Sequence, residues 1–391
     1  MCDSRIFSSV FCASARRISP CFAMIFALRF RELSANAIVL LCNLYYNIIG
    51  SLGDRKDDKM VRDTVLHALE AHRGQLVSGG TLARELNVSR TAVWKAIASL
   101  REMGFPIESV AGEGYRLAAS SDALSEAGIA MELRTQSIGR SLCVLSTVDS
   151  TNNYLKARAA ALPDGYAAVA DCQTAGRGRR GRSFLSPSGS GIYMSILLHP
   201  TLPAARINMI TVGAAVALCE AIAETAGFTP DIKWVNDVLM HGKKLCGILT
   251  EAAVEAETGE LSYAIVGVGV NVRTPEGGLP EEIRDIAGCL EDFAPHPVRR
   301  NALAASFFNH LESCYQLILS GDTAQLMDRY RSFIHFLGQP ITVLQNGEAQ
   351  PAVAVGIDAD GHLLIEQDGV RSTMLAGEIS IRLPEQGQAS I

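Results

Sequence analysis

The chain has 391 residues, of which 48% are hydrophobic and 19% are charged. This length suffices for two or three domains with buried cores. The formal net charge of −6 excludes an indiscriminate nucleic-acid binder, although it is compatible with a local DNA-binding surface.

Residues 1–59 differ in pattern from the remainder of the chain. The apolar runs Cys21–Phe30 and Ala37–Ile49 lie in a region interrupted by arginines, and each is shorter than the ~20 residues that span a bilayer. A charged stretch, Asp54–Lys59, then precedes Met60. We predict that residues 1–59 are an upstream extension arising from start-codon choice, disordered or absent from the native product. The alternative is a membrane-associated or targeting segment.

Residues 60–118 show the pattern of a winged helix-turn-helix domain. Apolar residues recur at helical spacing from Val61 to Glu70, and Ser78 or Thr81 is expected to cap a second short helix. Ser89 precedes a third predicted helix. A later Gly-Glu-Gly turn separates two strand-like runs, which predict the wing.

The start of the third predicted helix carries small polar and basic residues, the types that contact DNA phosphates and base edges in helix-turn-helix proteins. The candidate DNA-binding residues are Ser89, Arg90, Thr91 and Lys95. Basic and acidic side chains nearly balance in this domain, so a helical protein-interaction module is the alternative.

Residues 119–137 are predicted to form a linker, and residues 138–335 a catalytic domain. Strand-like and helix-like runs follow one another there without a regular βαβ rhythm, which favours an α+β fold. The predicted strands are Leu142–Leu145, Ala167–Ala170, Ile192–Leu198 and Leu261–Val272. The predicted helices are Ser150–Ala161, Asn208–Ala226 and Val298–Ile318. The sequence contains no Walker-type loop and no dinucleotide fingerprint set within a βαβ unit, so ATP, if used, must be held in another way.

Residues 336–384 change to short alternating strands, which predict a small C-terminal β-barrel. The predicted strands are Ile341–Leu344, Ala352–Asp358, Leu363–Gln367, Thr373–Leu375 and Ile379–Leu383. Turns are expected at Asn346-Gly347, Asp360-Gly361 and Asp368-Gly369.

The ten cysteines of the chain follow no metal-binding pattern. The sequence has no Cys-x-x-Cys pair and no Cys/His spacing of the kind found in zinc sites. We interpret the cysteines as reduced, packed thiols of a cytoplasmic protein, and we expect no metal site built from clustered side chains.

The segment Gly176–Arg182, here called the Arg-Gly loop, places three glycines and four arginines in seven residues. Glycine allows backbone N–H groups to close around an anion, and the planar fork of arginine pairs with phosphate or carboxylate oxygens. We predict a loop that is mobile without a ligand and folds over a phosphate-bearing one. A solvated basic loop, or one that touches RNA or DNA, is the alternative.

A second cationic cluster lies in a predicted hairpin formed by Ile232–Leu239 and Gly242–Glu251. Its first strand brings Lys233 close to an Asn-Asp pair, and a Gly-Lys-Lys turn leads into the second. An ordinary hairpin with solvated lysines is the alternative. Two cationic clusters in a chain of net charge −6 indicate a focused anion site.

Several short motifs follow one another in the second half of the chain. They are Asp149–Leu155, Gln173–Arg182, Ser186-Pro187, Gly191–Ser195, Lys233–Asp237, Lys244–Leu249 and Gly267–Val272. In this order they resemble the biotin protein ligase family, in the bifunctional form that also represses the biotin operon. The resemblance extends from about Met60 to the C-terminus. It implies a winged helix-turn-helix, a central mixed-sheet ligase domain similar to class II aminoacyl-tRNA synthetases, and an SH3-like C-terminal domain.

The resemblance implies an enzyme that uses ATP and Mg²⁺ to convert biotin to biotinyl-5′-adenylate. Biotin would then pass to a lysine of the biotin carboxyl carrier protein of acetyl-CoA carboxylase. The resemblance also implies a cytoplasmic repressor of biotin synthesis genes that binds operator DNA, has no membrane role and forms a homodimer when the adenylate is bound. Dimerisation is expected through the catalytic sheet near Gly267–Val272.

Adenylation requires cations, because the biotin carboxylate attacks the α-phosphate of ATP and both groups are anionic. The expected catalytic residues are Arg177, Lys233, Lys244 and Asp237, with Asp237 orienting or deprotonating the acceptor lysine. The resemblance assigns biotin binding to Ser150, Thr151, Asn152, Gln173, Arg177, Gly178, Arg179 and Lys244. It assigns nucleotide binding to Arg179, Arg180, Arg182, Phe184, Asn236 and Asn271.

Simpler roles are open for five of these residues. Ser150–Asn152 can be a helix cap, Gln173 a surface amide and Asp237 a residue that holds its loop. Two positions depart from the family pattern. Val235 replaces the usual proline, which should loosen the loop slightly, and Phe184 replaces a common tryptophan, which should weaken stacking on adenine.

Two other functions are compatible with the sequence. One is a lipoate-type ligase or octanoyltransferase of the same fold. The other is a ligand-responsive repressor without ligase activity.

Overall fold

The computed structural model describes residues 58–345, 348–375 and 378–381. Residues 1–57, which form nearly all of the predicted upstream extension, lie outside this part of the chain. The turn expected at Asn346-Gly347 also lies outside it, as do the last residues of the C-terminal domain.

The N-terminal domain is a winged helix-turn-helix, as predicted. Helix α1 covers residues 58–71. It is followed by α2 (Gly79–Glu85), α3 (Arg90–Glu102) and the antiparallel strands β1 (Ile107–Val110) and β2 (Gly114–Leu117). Apolar residues at helical spacing form its core, among them Val65, Leu69, Leu82, Ile97 and Leu100.

Serine side chains cap both helices of the helix-turn-helix. The Ser78 hydroxyl accepts a bond from Thr81 N at 3.0 Å, so Ser78 caps α2. Ser89 accepts a bond from Ala92 N at 3.0 Å in the same way at the start of α3. Each hydroxyl satisfies a backbone donor that the first helical turn leaves without an intrahelical partner.

The central domain is built on a seven-stranded mixed sheet with the strand order β3-β4-β5-β9-β8-β7-β6. Its strands are β3 (Leu142–Leu145), β4 (Ala167–Ala170), β5 (Gly191–Leu198), β6 (Asp231–Lys233), β7 (Asp237–Met240), β8 (Lys243–Val254) and β9 (Leu261–Asn271). The β3–β4 pair is parallel and the other pairs are antiparallel. The predicted α+β class is confirmed.

Helices cover both faces of this sheet. The domain's helices are α4 (Glu126–Ala130), α5 (Thr151–Lys156), α6 (Ile207–Ala226), α7 (Arg300–Ser320) and α8 (Thr323–Ser332). Helices α6 and α7 bury one face, whose residues include Val169, Ile196 and Val266. The alternate residues of the strands face the other way, where Leu197 and Ile265 pack against Leu155 of α5.

The segment Ala204–Ala226 is long and apolar enough to cross a membrane by composition, but 72% of its apolar 18-residue window is buried inside the protein. This segment contains α6, and its apolar side chains are buried in the core of the central domain.

The C-terminal domain is a five-stranded antiparallel sheet with the order β13-β12-β11-β10-β14. Its strands are β10 (Pro340–Gln345), β11 (Glu348–Ile357), β12 (Leu363–Gln367), β13 (Val370–Met374) and β14 (Glu378–Ile381). The buried indole of Trp234 donates to Gly361 O at 2.9 Å, and Asn208 Nδ2 donates to Asp360 O at 3.1 Å. This sheet therefore packs on the central domain beside the Lys233–Asp237 motif.

Two segments differ from the sequence-based expectation. The helix expected to reach Ala161 ends as α5 at Lys156, because Arg158 N and Ala161 N donate to carbonyls three residues back and tighten the chain into turns. The segment 119–137, predicted as a linker, contains α4 and packs against α7.

Candidate active site

A cavity lies on the face of the central sheet where β8 and β9 meet the start of α5. It encloses about 480 Å³ of empty space, part of which is open to solvent. Glycine-rich strand backbone, polar side chains of α5 and cations of the Arg-Gly loop form its walls. The lining residues are Ser150, Thr151, Asn152, Gln173, Arg177, Gly178, Arg179, Phe184, Asn236, Lys244, Gly247, Ile248, Leu249, Gly267, Val268 and Gly269.

One wall is a buried network of hydroxyl and amide groups. Thr151 N and Oγ1 donate to Gln173 Oε1 at 2.9 and 3.1 Å. Ser195 Oγ donates to Asn152 Oδ1 at 2.6 Å and lies 2.7 Å from Thr151 Oγ1. Asn152 Nδ2 donates to Glu251 Oε2 at 2.8 Å. These bonds orient donors and acceptors before any ligand arrives, which suits recognition of a neutral polar group.

Ser150 and Gln173 have contacts beyond their simpler alternative roles. Ser150 is the N-cap residue of α5, but its side chain makes no cap bond within the described part of the chain, and the residue lines the cavity. Gln173 is a bridging residue, because Gln173 Nε2 donates to Ser186 Oγ at 3.0 Å while its oxygen accepts from Thr151. It therefore joins α5 to the segment that follows the Arg-Gly loop.

The floor of the cavity requires glycine at two positions of β9. A Cβ atom at Gly267 would lie 2.3 Å from Asn152 Oδ1, and one at Gly269 would lie 2.6 Å from Phe184 Cε1. Because alternate residues of a strand face the same side, both glycines open the same face of the sheet. The space for Asn152 and Phe184 thus depends on the absence of side chains from β9.

The opposite wall is cationic. Lys244 Nζ lies 2.7 Å from Asp237 Oδ1, and Arg179 Nη1 donates to Asn236 Oδ1 at 2.8 Å. The carboxylate of Asp237 is not among the lining residues, so it holds the ammonium group from behind while Lys244 faces the cavity. This arrangement presents positive charge to an anionic ligand.

Arg177 extends the cationic wall from the Arg-Gly loop. Its Nη1 donates to Asn153 Oδ1 at 3.1 Å and lies 3.7 Å from Glu251 Oε1. Asn153 Nδ2 in turn donates to Asp149 Oδ2 at 2.8 Å. This bond holds the pKa of the Asp149 carboxyl below its usual range. The half-exposed guanidinium is therefore tethered to α5 and remains within reach of a ligand.

Most of the predicted site residues meet at this cavity, but five do not line it. Asp237 acts from behind Lys244, and Asn271 Nδ2 donates to Gly288 O at 3.1 Å, where it supports the chain. Lys233 pairs through its backbone with Asp237 at the β6–β7 turn. The other two are Arg180 and Arg182 of the Arg-Gly loop. The nucleotide role of Arg180, Arg182 and Asn271 and the catalytic role of Lys233 and Asp237 remain predictions.

Sequence reasoning did not assign to the site six residues that line the cavity, which are Gly247, Ile248, Leu249, Gly267, Val268 and Gly269. It also missed three residues that support the lining. Ser195, Glu251 and Asn153 bond directly to predicted site residues. A Cβ at Gly247 would lie 3.3 Å from Lys244 Nζ. Ser195 and Asn153 lie inside quoted motifs and could have been found there. Glu251 ends the predicted hairpin, but its bond to Asn152 becomes apparent only when β8 is placed opposite α5.

The predicted DNA-binding residues form the exposed start of α3. Arg90, Thr91 and Lys95 are all exposed, whereas Val93 and Ile97 are buried in the domain core. The Ser89 hydroxyl accepts the capping bond but keeps its hydrogen available for a further bond. The helix thus presents polar and cationic groups at the end that enters the major groove in helix-turn-helix complexes.

Comparison with known proteins extends these observations. Residues 144–271 match the Biotin/lipoate A/B protein ligase family, residues 61–116 an HTH domain, and residues 336–382 the Biotin protein ligase C terminal domain. The chain is 34% identical to the bifunctional ligase/repressor BirA of Bacillus subtilis over 315 residues, which cover 80% of this chain and 96% of that protein. The chain belongs to the bifunctional biotin ligase/repressor family.

Other members and solved structures agree with this placement. The bifunctional ligase/repressor BirA of Escherichia coli is 32% identical over 80% of this chain and 95% of its own length. The biotin protein ligase of Aquifex aeolicus, solved in complex with biotin and ATP, is 29% identical with a TM-score of 0.54. That match covers 62% of this chain and 99% of the Aquifex chain. The bifunctional biotin ligase/repressor family therefore accounts for all three domains.

Proposed function

We propose that this protein activates biotin with ATP to form biotinyl-5′-adenylate and then transfers biotin to a lysine of a biotin carboxyl carrier protein. The observation that carries the proposal is a single cavity with a neutral polar wall on one side and a cationic wall on the other. The polar wall suits the ureido ring of biotin, and the cationic wall suits its carboxylate and the phosphate of ATP.

The polar wall explains how biotin would be oriented. Ser150, Thr151 and Asn152 are each no more than 4% exposed, so their bonds to a ureido ring would be shielded from water. The side chains of Thr151 and Asn152 are already fixed by bonds to Gln173 and Ser195. Pre-organisation of this kind lowers the entropic cost of binding.

The cationic wall explains how adenylation would be promoted. Lys244 and Arg177 both line the cavity. Fixed cations at these positions would stabilise the charge that develops on the phosphate oxygens. Mg²⁺ enters with ATP as part of the nucleotide substrate. Phe184, which fills the space above Gly269, is the group available for contact with adenine.

The second half-reaction requires that the acceptor lysine lose a proton. Asp237 is the proposed orienting or deprotonating group, and its carboxylate is 2.7 Å from Lys244 Nζ. The acceptor is proposed to be the biotin carboxyl carrier protein of acetyl-CoA carboxylase, and the reaction is proposed to take place in the cytoplasm.

The experiment that tests the ligase proposal is exchange of labelled pyrophosphate into ATP. Exchange should depend on biotin and should not occur with lipoate or octanoate, because the polar wall matches a ureido ring and not an alkyl chain. Exchange driven by lipoate would favour the lipoate-type alternative. A complete lack of exchange by folded protein would favour the repressor without ligase activity.

We also propose that the winged helix-turn-helix binds the operator of biotin synthesis genes as a dimer, and that the adenylate favours dimerisation. The dimer is proposed to form through the catalytic sheet, but a second copy cannot pair directly with the backbone of Gly267–Val272, because β9 is already paired on both sides by β5 and β8. A second copy could extend the described sheet only at its edge strands, β3 and β6.

Operator binding should tighten when biotin and ATP are added together. The operator can be recovered from random DNA by selection with the full-length protein, and affinity is then measured by fluorescence anisotropy at one fixed salt concentration. Deletion of residues 60–117 should abolish binding and leave part of the ligase activity. Equal affinity with and without biotin and ATP would contradict the proposed coupling.

A further inference from the structure

A buried arginine at the start of α7 joins three chain segments. The Arg300 side chain is 6% exposed, with Nε 2.7 Å from Asp122 Oδ2 and Nη1 2.5 Å from Asp171 Oδ1. Nη1 also donates to Gly191 O, and Nη2 donates to Asp122 O, each at 2.9 Å. Such complete pairing offsets the cost of burying the charge, and loss of one partner would leave an uncompensated ion.

The Asp122 carboxylate is shared with a second arginine. Arg273, which lies just beyond β9, places Nη1 2.7 Å from Asp122 Oδ2. Arg273 also pairs with Glu291 at 3.1 Å and donates to Gly189 O at 3.1 Å. Asp122 therefore fastens the segment between the two domains to the end of the strand that forms the cavity floor.

The Asp171 carboxylate connects the two stems of the Arg-Gly loop. Asp171 lies before the loop, close to Gln173, whereas Ser188 and Gly189 lie after it. The Ser188 hydroxyl and Gly189 N both donate to Asp171. Burial raises the pKa of Asp171, but the bonds from Ser188 and Arg300 outweigh this effect, so its pKa lies below the usual range. The carboxylate remains charged and holds both stems against Arg300.

The segment that contains Asp122 is also part of the DNA-binding domain. Ala123 and Ala127 pack against the core of the winged helix-turn-helix, whereas Leu124 packs against the core of the central domain. Arg73, in the turn after α1, donates from Nη1 to Ser121 O at 2.6 Å. A shift of this segment would thus move contacts in both domains.

We infer that Arg300 is a positioning residue that joins the stems of the Arg-Gly loop to the interdomain segment through Asp171 and Asp122. Ordering of the Arg-Gly loop over a ligand stiffens the stems of the loop. Asp171 and Asp122, both paired with Arg300, transmit the loss of motion to the interdomain segment, which packs against the winged helix-turn-helix. The inference deepens the proposed repressor function and rests on it. It assigns the coupling to a buried network in which Arg300 is the cation that pairs with both the Asp171 and the Asp122 carboxylates.

The test replaces Asp122 by asparagine, which keeps the size of the side chain and removes the charge that faces both arginines. The matched control is Arg299→Ala. Arg299 adjoins Arg300 and pairs with Glu132 of the same interdomain segment at 2.6 Å, but both side chains are at least 40% exposed. An exposed pair of this kind contributes little, so the control should behave as wild type.

The first readout is the ratio of operator affinities without and with biotin and ATP. Allosteric ratios are typically about 5- to 150-fold, and Asp122→Asn should bring the ratio close to one while pyrophosphate exchange stays near the wild-type rate. A purely structural role would lower affinity equally in both states and leave the ratio unchanged. An unchanged ratio in Asp122→Asn, or an equal loss in Arg299→Ala, would overturn the inference.

The second readout is amide hydrogen exchange across residues 121–127, which does not require DNA. Biotin and ATP should slow exchange there in wild type and in Arg299→Ala, but not in Asp122→Asn. If wild type binds the operator equally with and without ligand, the repressor proposal fails, and this readout still decides whether the network carries a signal. Equal protection by biotin and ATP in wild type, Arg299→Ala and Asp122→Asn would refute the inference that the network carries a signal. Should Asp122→Asn unfold at the assay temperature, Arg273→Lys gives a milder change to the same carboxylate.

Discussion

Replacement of Lys244 by alanine is expected to abolish formation of the adenylate. Lys244 lines the cavity, and its ammonium group is held 2.7 Å from Asp237, so it is a fixed cation beside the proposed site of attack. Removal of one pre-organised group that stabilises developing negative charge lowers kcat by about 10²- to 10³-fold. Biotin-dependent exchange of labelled pyrophosphate into ATP measures this step directly.

The neighbouring lysine provides the matched control for this prediction. Lys243 lies on the same strand, but its Nζ donates to Arg284 O at 3.0 Å and is not among the cavity-lining groups. Lys243→Ala should therefore exchange pyrophosphate at close to the wild-type rate. Normal exchange in Lys244→Ala would show that the cation is not required for adenylation.

Replacement of Arg177 by alanine is expected to accelerate loss of the adenylate from the site. Arg177 lines the cavity from the Arg-Gly loop and is anchored to Asn153 at 3.1 Å, so its fork is positioned to cover a bound acyl phosphate. A hydrogen bond to a charged group contributes about 1.5–3 kcal/mol, which corresponds to a roughly 10- to 100-fold faster release. Release can be followed by trapping labelled adenylate after dilution.

Two further variants separate charge from geometry at this position. Arg177→Lys retains the charge but loses the planar fork, so it should fall between alanine and wild type. Arg158→Ala removes an arginine whose guanidinium lies 4.0 Å from the centre of the Tyr154 ring, outside the cavity lining, and should release adenylate at the wild-type rate. Wild-type retention by Arg177→Ala would remove this residue from the proposed site.

Local patterns were sufficient to predict most elements of the fold. The strands Leu142–Leu145 and Ala167–Ala170 occur with the predicted bounds, because short apolar runs between turn residues have few other ways to be buried. The helix-turn-helix could also be predicted, since its capping serines precede amphipathic stretches. The early end of α5 could not be predicted from the sequence, because tightening of a helix into turns depends on what packs against it.

The candidate site was predictable where one motif carries the chemistry. The Arg-Gly loop and the residues Ser150–Asn152 come together at one cavity, as their composition and the family resemblance led us to expect. Lys233 was also expected there, but the β6–β7 pairing places it outside the lining residues. Strand alternation decides such cases, and a motif of consecutive residues cannot specify which of them face the ligand.

The sequence by itself determined the class of elements, the order of the three domains and the cationic character of the ligand site. These properties depend on residues close together in the chain, where periodicity, capping and side-chain chemistry act locally. Only the tertiary structure decided that β9 is a central strand, that its glycines open the cavity, and that Arg300 joins Asp122 to Asp171. Those features arise from contacts between segments that are distant in the chain. Because these segments are buried against one another, the position of each segment depends on the positions of the others.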